Sequence, residues 1–438
     1  MASVLLTGTV LLAIAFGSLI LPLRPKVSAV EKRELASFPK LTASALFSGE
    51  YFSDVSLWFS DTVPFRDTLV SLNYKIQNFL GTSGAQAGFN EGVKGDDIPD
   101  APAVPVTEAL TSAPASDPSG ENFSDVPSTS EPATEPPLPD NVQQLAGILV
   151  CGNAGFEYYN FVQSAADSYA AAVNKAATLT AGKAQVYSII VPTSSDITLD
   201  KRIRKDLSVS DQKKAIEYMY SAMLPEVRKV NIFDTMASHA GEYIYFRADH
   251  HWTGLGAYYA YTQFCAAKGI QPLELSKYTV RSFDNFLGTF YADSGQDPAL
   301  AATPDVVDTY TPPCNTKMTV TEQSGNKLTT PMIYDATTNQ PAYKYSAFIY
   351  GDNPFTVIEN TDLESGDSCI LIKDSYGNAF APLLTYHYKY VYVFDYRYEN
   401  STVNQLVNEL GIKDVIILNN ISMTRSSSQV ANLSAKIG

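Results

Sequence analysis

The chain holds four histidines, and two of them stand side by side in "FRADHHWTGLGAYYAY", residues 246–261. An imidazole changes charge near neutral pH, so His250 and His251 behind Asp249 point to proton transfer or metal ligation. In an extended segment side chains alternate, which would put Asp249 and His251 on one side and His250 on the other. An acid two positions before an imidazole can serve as the orienter and base for a nucleophile. Trp252 is then expected to pack under the imidazole, and Thr253 to cap a following helix. No metal is expected: adjacent histidines point apart, and no further His–Glu spacing completes a ligand set.

A base needs a nucleophile. "IKDSYGNAF" places Ser375 where an apolar strand turns abruptly into a helix. A hydroxyl there is accessible, and the N–H groups of the starting helix, Tyr376 among them, point at an oxyanion formed on a bound ester. The logic is that of a nucleophile elbow, although the G-x-S-x-G spelling is absent. Simpler readings stand beside this one. Ser375 could be only an N-cap, and Asp249 only an electrostatic helix cap. His239 and His387 read as structural or surface residues, and Tyr258, Tyr259 and Tyr261 as helix packing.

The elements around these residues set the fold class. "SCILIKD", "YVYVFD" and "DVIILNN" are apolar, β-branched runs, separated by "NAFAPLLTYHY" and "TVNQLVNELGI", which read as helices. Earlier, a helix is expected over about 160–180, a strand over 184–192, a helix in "SDQKKAIEYMYSAML" capped by Ser210 or Asp211, and a strand in "VNIFD". A further helix over 254–268 should close at Gly269. Such alternation specifies βαβ units and an α/β fold with a mainly parallel sheet. Ligands bind beyond the carboxyl ends of such strands, here Pro192–Thr193, Asp374–Ser375, Asp395–Arg397 and Asn419–Asn420.

Composition bounds the rest. The 438 residues carry a formal charge of −15, which argues against nucleic acid and suits a neutral, hydroxyl-rich substrate. Cys151, Cys265, Cys314 and Cys369 show no CxxC spacing, so neither a disulfide framework nor a zinc knuckle is expected. Residues 3–23 are uncharged and largely apolar, long enough for a membrane helix. Residues 1–30 are therefore expected to be an anchor or secretory signal with the body outside, although Arg24, Lys26, Lys32 and Arg33 follow the apolar run and the positive-inside rule alone would favour the cytoplasm. Residues 31–95 begin the folded domain, 96–140 are a Pro/Ser/Thr-rich segment expected to be a disordered insertion, and 141–438 form the main domain.

Several separated stretches, in order, resemble the DHHW protein family: "EKRELASFP", "FSDTVPFRD", "RADHHWTGLGAYYAY", "FLGTFYADSG", "YGDNPFTVI", "IKDSYGNAFAPLL" and "VFDYRY". That family in turn resembles the alginate O-acetyltransferases, whose domain is an SGNH-hydrolase-like fold with circularly permuted motif order. The resemblance implies a three-layer α/β/α domain in which Asp249 and His251 are acid and base, Trp252 the motif tryptophan and Ser375 the nucleophile. By the same analogy Arg397 contacts substrate, and Asn353 donates to the oxyanion, with Asn419 and Asn420 as rivals. It further implies an extracytoplasmic O-acetyltransferase, without cofactor, that modifies a cell-envelope polysaccharide. No acetyl-CoA exists outside the cell, so a membrane-embedded acyltransferase would be the donor. An esterase of the same fold and a non-catalytic envelope protein are the other readings.

Overall fold

A computed structural model describes residues 37–41, 95–100, 137–145 and 147–438, with isolated positions elsewhere between 24 and 62. Its centre is one sheet of eight strands: β1 (Gln185–Val191), β2 (Arg228–Lys229), β3 (Thr316–Thr321), β4 (Lys327–Thr330), β5 (Phe355–Asn360), β6 (Ser368–Lys373), β7 (Tyr390–Asp395) and β8 (Asp414–Asn420). The order is β4-β3-β5-β7-β6-β8-β1-β2. Strands β7, β6, β8, β1 and β2 run parallel. Strands β4, β3 and β5 add antiparallel pairings on the far side of β7. The domain is thus mixed α/β, and the expected parallel sheet is one part of it. A hairpin makes the difference: Glu322 N–H bonds Asn326 O at 2.9 Å, and two strands joined by so short a turn can only be antiparallel.

Strands β6, β8 and β1 are buried on both faces, and their alternate residues enter two separate cores. Val415 and Ile417 of β8, with Ile370 and Ile372 of β6, join helices α1 (Gln163–Leu179), α2 (Gln212–Ser221), α5 (Val403–Leu410) and α6 (Ser427–Ile437). Ile416 and Leu418, with Cys369 and Leu371, join α3 (Gly254–Lys268) and α4 (Gly377–Leu384). Side chains that alternate across a pleated strand make this division unavoidable. Each buried Ile or Leu contributes roughly 1.5–3 kcal/mol. The fold therefore fixes the direction of β6, and with it the place where that strand ends.

Most element expectations hold. Asp211 caps α2 by accepting Lys214 N–H at 2.9 Å. Thr253 caps α3 by accepting Gly256 N–H at 3.2 Å, and Gly269 ends it at φ 80°. "VNIFD" is not a strand: pairing stops at Lys229, and Phe233–Ser238 is helical. Val230 and Ile232 do alternate into the core, but Asn231 Oδ1 accepts Phe233 N–H at 3.1 Å and turns the chain.

Helix α1 begins at Val162 without a local cap; Asp96 supplies one, its Oδ2 accepting Gln163 N–H at 2.8 Å. Residues 96–100, which composition assigns to the insertion, are thus attached to the domain, while 101–136 lie outside the described residues. The expected membrane segment at 3–23 also lies outside them. Among the described residues no helix is long and apolar enough to cross a membrane.

Candidate active site

Strand β6 is wholly buried and ends at Lys373; Asp374, Ser375 and Tyr376 turn the chain into α4. The Asp374 carboxylate holds the turn, Oδ1 accepting Tyr376 N–H at 3.0 Å and Oδ2 accepting Asn420 N–H at 2.8 Å. It ties the turn to the carboxyl end of β8. Gly377 lets the helix fold back: a Cβ there would lie 2.4 Å from Lys373 Cβ. Lys373 is fully buried, its Nζ donating to Asp395 at 2.6 Å and Asp352 at 2.8 Å. Arg397 grips Asp395 with two bonds of 2.8 and 2.7 Å and reaches Asp352 at 3.0 Å. Burial opposes ionisation of Asp352, yet Lys373 and Arg397 hold its carboxyl well below the usual carboxylate range. Two cations against two anions form a neutral base under the turn.

The histidine segment is a bent loop, closed by the Tyr245–Trp252 bridge and by Phe246 N–H to His251 O at 3.1 Å. Beneath it, Asp305 accepts Ala248 N–H at 2.7 Å and both the backbone and side chain of Arg247. Asp249 Oδ1 accepts from His251 Nδ1 at 2.5 Å and from His251 N–H at 3.0 Å. Its Oδ2 accepts Thr289 N–H at 2.8 Å and the Thr289 hydroxyl at 3.2 Å. Gly288 permits this approach, because a Cβ there would fall 1.9 Å from Asp249 Oδ2. With Nδ1 protonated toward Asp249, Nε2 is left as an acceptor, and Ser375 Oγ lies 2.7 Å from it. The hydroxyl meets the imidazole across 124 residues, within the reach proton transfer requires. Ser375 itself stays half-buried, at the wall of a cavity.

Around this series two expectations fail. Trp252 does not lie under the imidazole: Tyr345 does, stacked at 4.0 Å and 13°, with its hydroxyl donating to Ser375 O at 3.0 Å. Trp252 instead braces the other segment, its Nε1 donating to Tyr376 O at 3.0 Å. His250 does not point away, because the backbone bends where alternation assumes an extended chain. Its ring sits 3.9 Å from that of His251, with Nδ1 2.5 Å from Thr289 Oγ1. Donor atoms of Asp249, His250 and His251 fall within 4.8 Å of one another. Asp249 and Ser375 nevertheless engage both ring nitrogens of His251, an arrangement suited to proton transfer rather than to a cation.

A cavity of about 400 Å³ opens over Ser375, walled in part by Glu157, His250, Asp374, Arg397, Asn420 and Arg425. Asn353, expected to serve the oxyanion, is elsewhere: its amide donates to Tyr350 O at 3.0 Å, and it is not among the residues lining this cavity. The Tyr376 N–H is likewise spent on Asp374, and the Tyr376 hydroxyl on His250 O. Asn420 is better placed: it lines the cavity, its Oδ1 accepts Ser422 N–H at 2.6 Å, and its buried amide nitrogen faces the Glu157 carboxyl. Its rival Asn419 accepts from Tyr169 OH at 3.3 Å and does not line the cavity. Arg397 does line it, while committed to its two carboxylates.

Glu157 was not singled out from the sequence. It is half-buried with Oε1 covered, and Oε2 accepts the Ser422 hydroxyl at 2.9 Å. Burial pushes its carboxyl up, as it does that of Asp374, against the pull of His250 and Arg425 on the former and Arg397 on the latter. Nothing in "AGFEYY" signals such an acid. Thr289 and Gly288 had a signal, since "FLGTF" was already marked as a motif without a role.

The DHHW protein family model matches residues 31–107 and 138–394. A DHHW family protein from Eubacterium siraeum is 25% identical over 69% of this chain and 99% of its own, with a TM-score of 0.63. PatB1 of Bacillus cereus, in a structure with a sulfonyl adduct, is 17% identical over 65% of this chain and 96% of its own, with a TM-score of 0.54. A second structure of Bacillus cereus PatB1 is 17% identical over 66% of this chain and 98% of its own, with a TM-score of 0.53. No curated protein matches the sequence.

Proposed function

The chain belongs to the DHHW protein family, and from that premise we propose that it is an O-acyltransferase of the cell envelope. Ser375 carries the acyl group, acetyl by the resemblance to the alginate O-acetyltransferases, and a polysaccharide hydroxyl receives it. The observation that carries this reading is the unbroken series Asp249–His251–Ser375, with bonds of 2.5 and 2.7 Å, at the wall of an open cavity.

In the first half-reaction His251 Nε2 takes the Ser375 proton as Oγ bonds to the acyl carbon. The donor oxygen then leaves with that proton, and the seryl ester remains. In the second, Nε2 takes the proton of the acceptor hydroxyl as its oxygen attacks the ester; Ser375 Oγ departs and is reprotonated. Asp249 keeps Nδ1 protonated and stabilises the imidazolium formed in each half. The Asn420 amide is the side-chain donor closest in role to an oxyanion hole, in place of Asn353. Glu157 and Arg425 narrow the acceptor's approach.

The finer fold description, a three-layer SGNH-like domain with motifs in permuted order, belongs to the same proposal. So do tethering by residues 3–23, an extracytoplasmic body and a membrane-embedded acyltransferase as donor. A sulfonyl fluoride esterifies a reactive serine hydroxyl and so reports on Ser375 directly. The test uses the full chain with a sulfonyl fluoride and with an activated acetyl ester, with and without oligosaccharide. Labelling should map to Ser375, and acetyl should appear on the sugar. Ser375→Ala should abolish both, by roughly 10³-fold or more in turnover. Labelling unchanged in that variant removes Ser375 from the reaction, and turnover that is wholly hydrolytic makes the protein an esterase.

A further inference from the structure

A second cavity, of about 320 Å³, is walled by Tyr334, Asn339, Gln340, Tyr343, Ser346 and Tyr350. Its chemistry differs from that of the first. No lining residue is charged; the walls offer three half-buried phenol rings, two carboxamides and a hydroxyl. We propose that it is a binding site for one neutral pyranose unit of an oligosaccharide, separate from the site of reaction and independent of the reaction proposed above.

The cavity is built by an uncommon element. Residues Pro341–Ala347 form a 3₁₀ helix of seven residues, where runs beyond three or four are uncommon. Three residues per turn eclipse every third side chain, so Gln340, Tyr343 and Ser346 fall in one row and face the cavity. Another row, Tyr345 and Phe348, faces inward, where Tyr345 stacks on the His251 ring. The third row carries Lys344. Its buried ammonium donates to Ala336 O at 2.9 Å and Thr337 O at 2.7 Å, stapling the loop that bears Tyr334 and Asn339 to the helix. Asn339 Nδ2 completes that wall, donating to Ser346 Oγ at 3.2 Å.

The far wall is strained. Ile349 and Tyr350 have φ of 48° and 63°, a region costly for any side chain and most costly for a β-branched one. Two such residues in succession persist only where the surroundings over-determine them. The Asn353 amide does so by bonding Tyr350 O, and Ile349 N–H does so by bonding Met332 O at 3.0 Å. The result presents the Tyr350 ring edge-to-face against Tyr334, centroids 5.1 Å apart. Fixed phenol faces stack on the C–H face of a pyranose, and the exposed Gln340 carboxamide, with Asn339 Oδ1 as acceptor, matches its vicinal hydroxyls, while the Asn339 amide nitrogen and the Ser346 hydroxyl are committed within the wall. An anionic sugar finds no cation here.

Titration calorimetry of the full chain carrying Ser375→Ala, with a neutral glucose hexamer and a chitin tetramer as probes, tests the site. At least one probe should bind, and Tyr343→Ala should weaken it about ten-fold or more. Gln340→Ala, on an exposed position that cannot affect folding much, should weaken it several-fold. In the Ser375-bearing chain both variants should leave sulfonyl fluoride labelling unchanged, which separates this inference from the proposed reaction. Binding of neither probe, binding of only a polyuronate, or affinity unmoved by both substitutions would overturn it.

Discussion

Ser375 and His251 reach the same point by opposite means. The serine rides on regular structure: a buried parallel strand, a three-residue turn and a helix, with a neutralised Lys373–Asp395–Arg397–Asp352 base below. The imidazole rides on a loop without regular pairing beyond one bridge, held by side chains from far along the chain. Asp305 supports its backbone, Thr289 holds Asp249, and Tyr345 covers the ring. Regular structure fixes a position by many interchangeable contacts, whereas the loop depends on a few that cannot be exchanged. Damage to the loop should therefore cost activity before stability, and the largest effects should be found there.

Asp249→Asn is the strongest way to press that difference. The amide can no longer accept from a protonated Nδ1 in the same way, so the proton shifts to Nε2 and the ring loses its acceptor for Ser375. Turnover of an activated ester should fall roughly 10⁴-fold with little change in unfolding midpoint. A fall smaller than ten-fold would mean that Asp249 is not the orienter. Gly288→Ala comes next. The added methyl occupies the place of Asp249 Oδ2, so the carboxylate must withdraw. A displacement of about 1 Å costs on the order of 10²-fold, and kcat should carry it more than KM. Retained kcat in a folded Gly288→Ala chain would show that the loop tolerates what the geometry forbids.

The same contrast explains what could be read from the sequence. Strands β6, β7 and β8 and their helices were legible because local apolar rhythm decides them, and the turn at Ser375 follows from where β6 must stop. The Asp249–His251 pairing was legible only in part. Two-residue alternation put the acid and base on one side correctly, yet the chain bends, and alternation then misplaces His250. Tyr345 and Glu157 lay beyond reach, since each meets the site through long-range packing that no local pattern encodes, whereas Thr289 sits in the "FLGTF" motif, which carries no hint of its role. Asn353 shows how a motif can mislead: "GDN" does fix an asparagine, but to clamp a strained turn at Tyr350.

Tyr345 touches both segments, and its removal sharpens the comparison on a smaller scale. Tyr345→Phe keeps the ring on His251 and deletes the hydroxyl, with its bond to Ser375 O and its contact with the Ala379 N–H. The loss should be about 1 kcal/mol, visible in chemical denaturation, with a modest change in kcat/KM. Tyr345→Leu also removes the stacked face, and should reduce kcat/KM well beyond the Phe variant. Equal activity in the two variants would mean that the ring plays no part in holding the base.

Glu157 gives the smallest expected effect and tests whether the cavity is tuned for function at the expense of stability. Burial favours the neutral acid, so its folded pKa lies above the ordinary Glu value of about 4.3. The sign follows: the folded state binds this proton more tightly than the unfolded one, so its contribution is fully present below the ordinary value and is lost as pH rises through the raised one. Glu157→Gln keeps the shape and removes the titration. The variant should therefore unfold at a higher temperature than the parent near neutral pH, and the two curves should converge in acid. Its Ser422 contact survives as a hydrogen bond to the amide oxygen. A parent and variant that differ equally at every pH would show that Glu157 is not a strained acid, and the cavity would then owe its polar lining to packing alone.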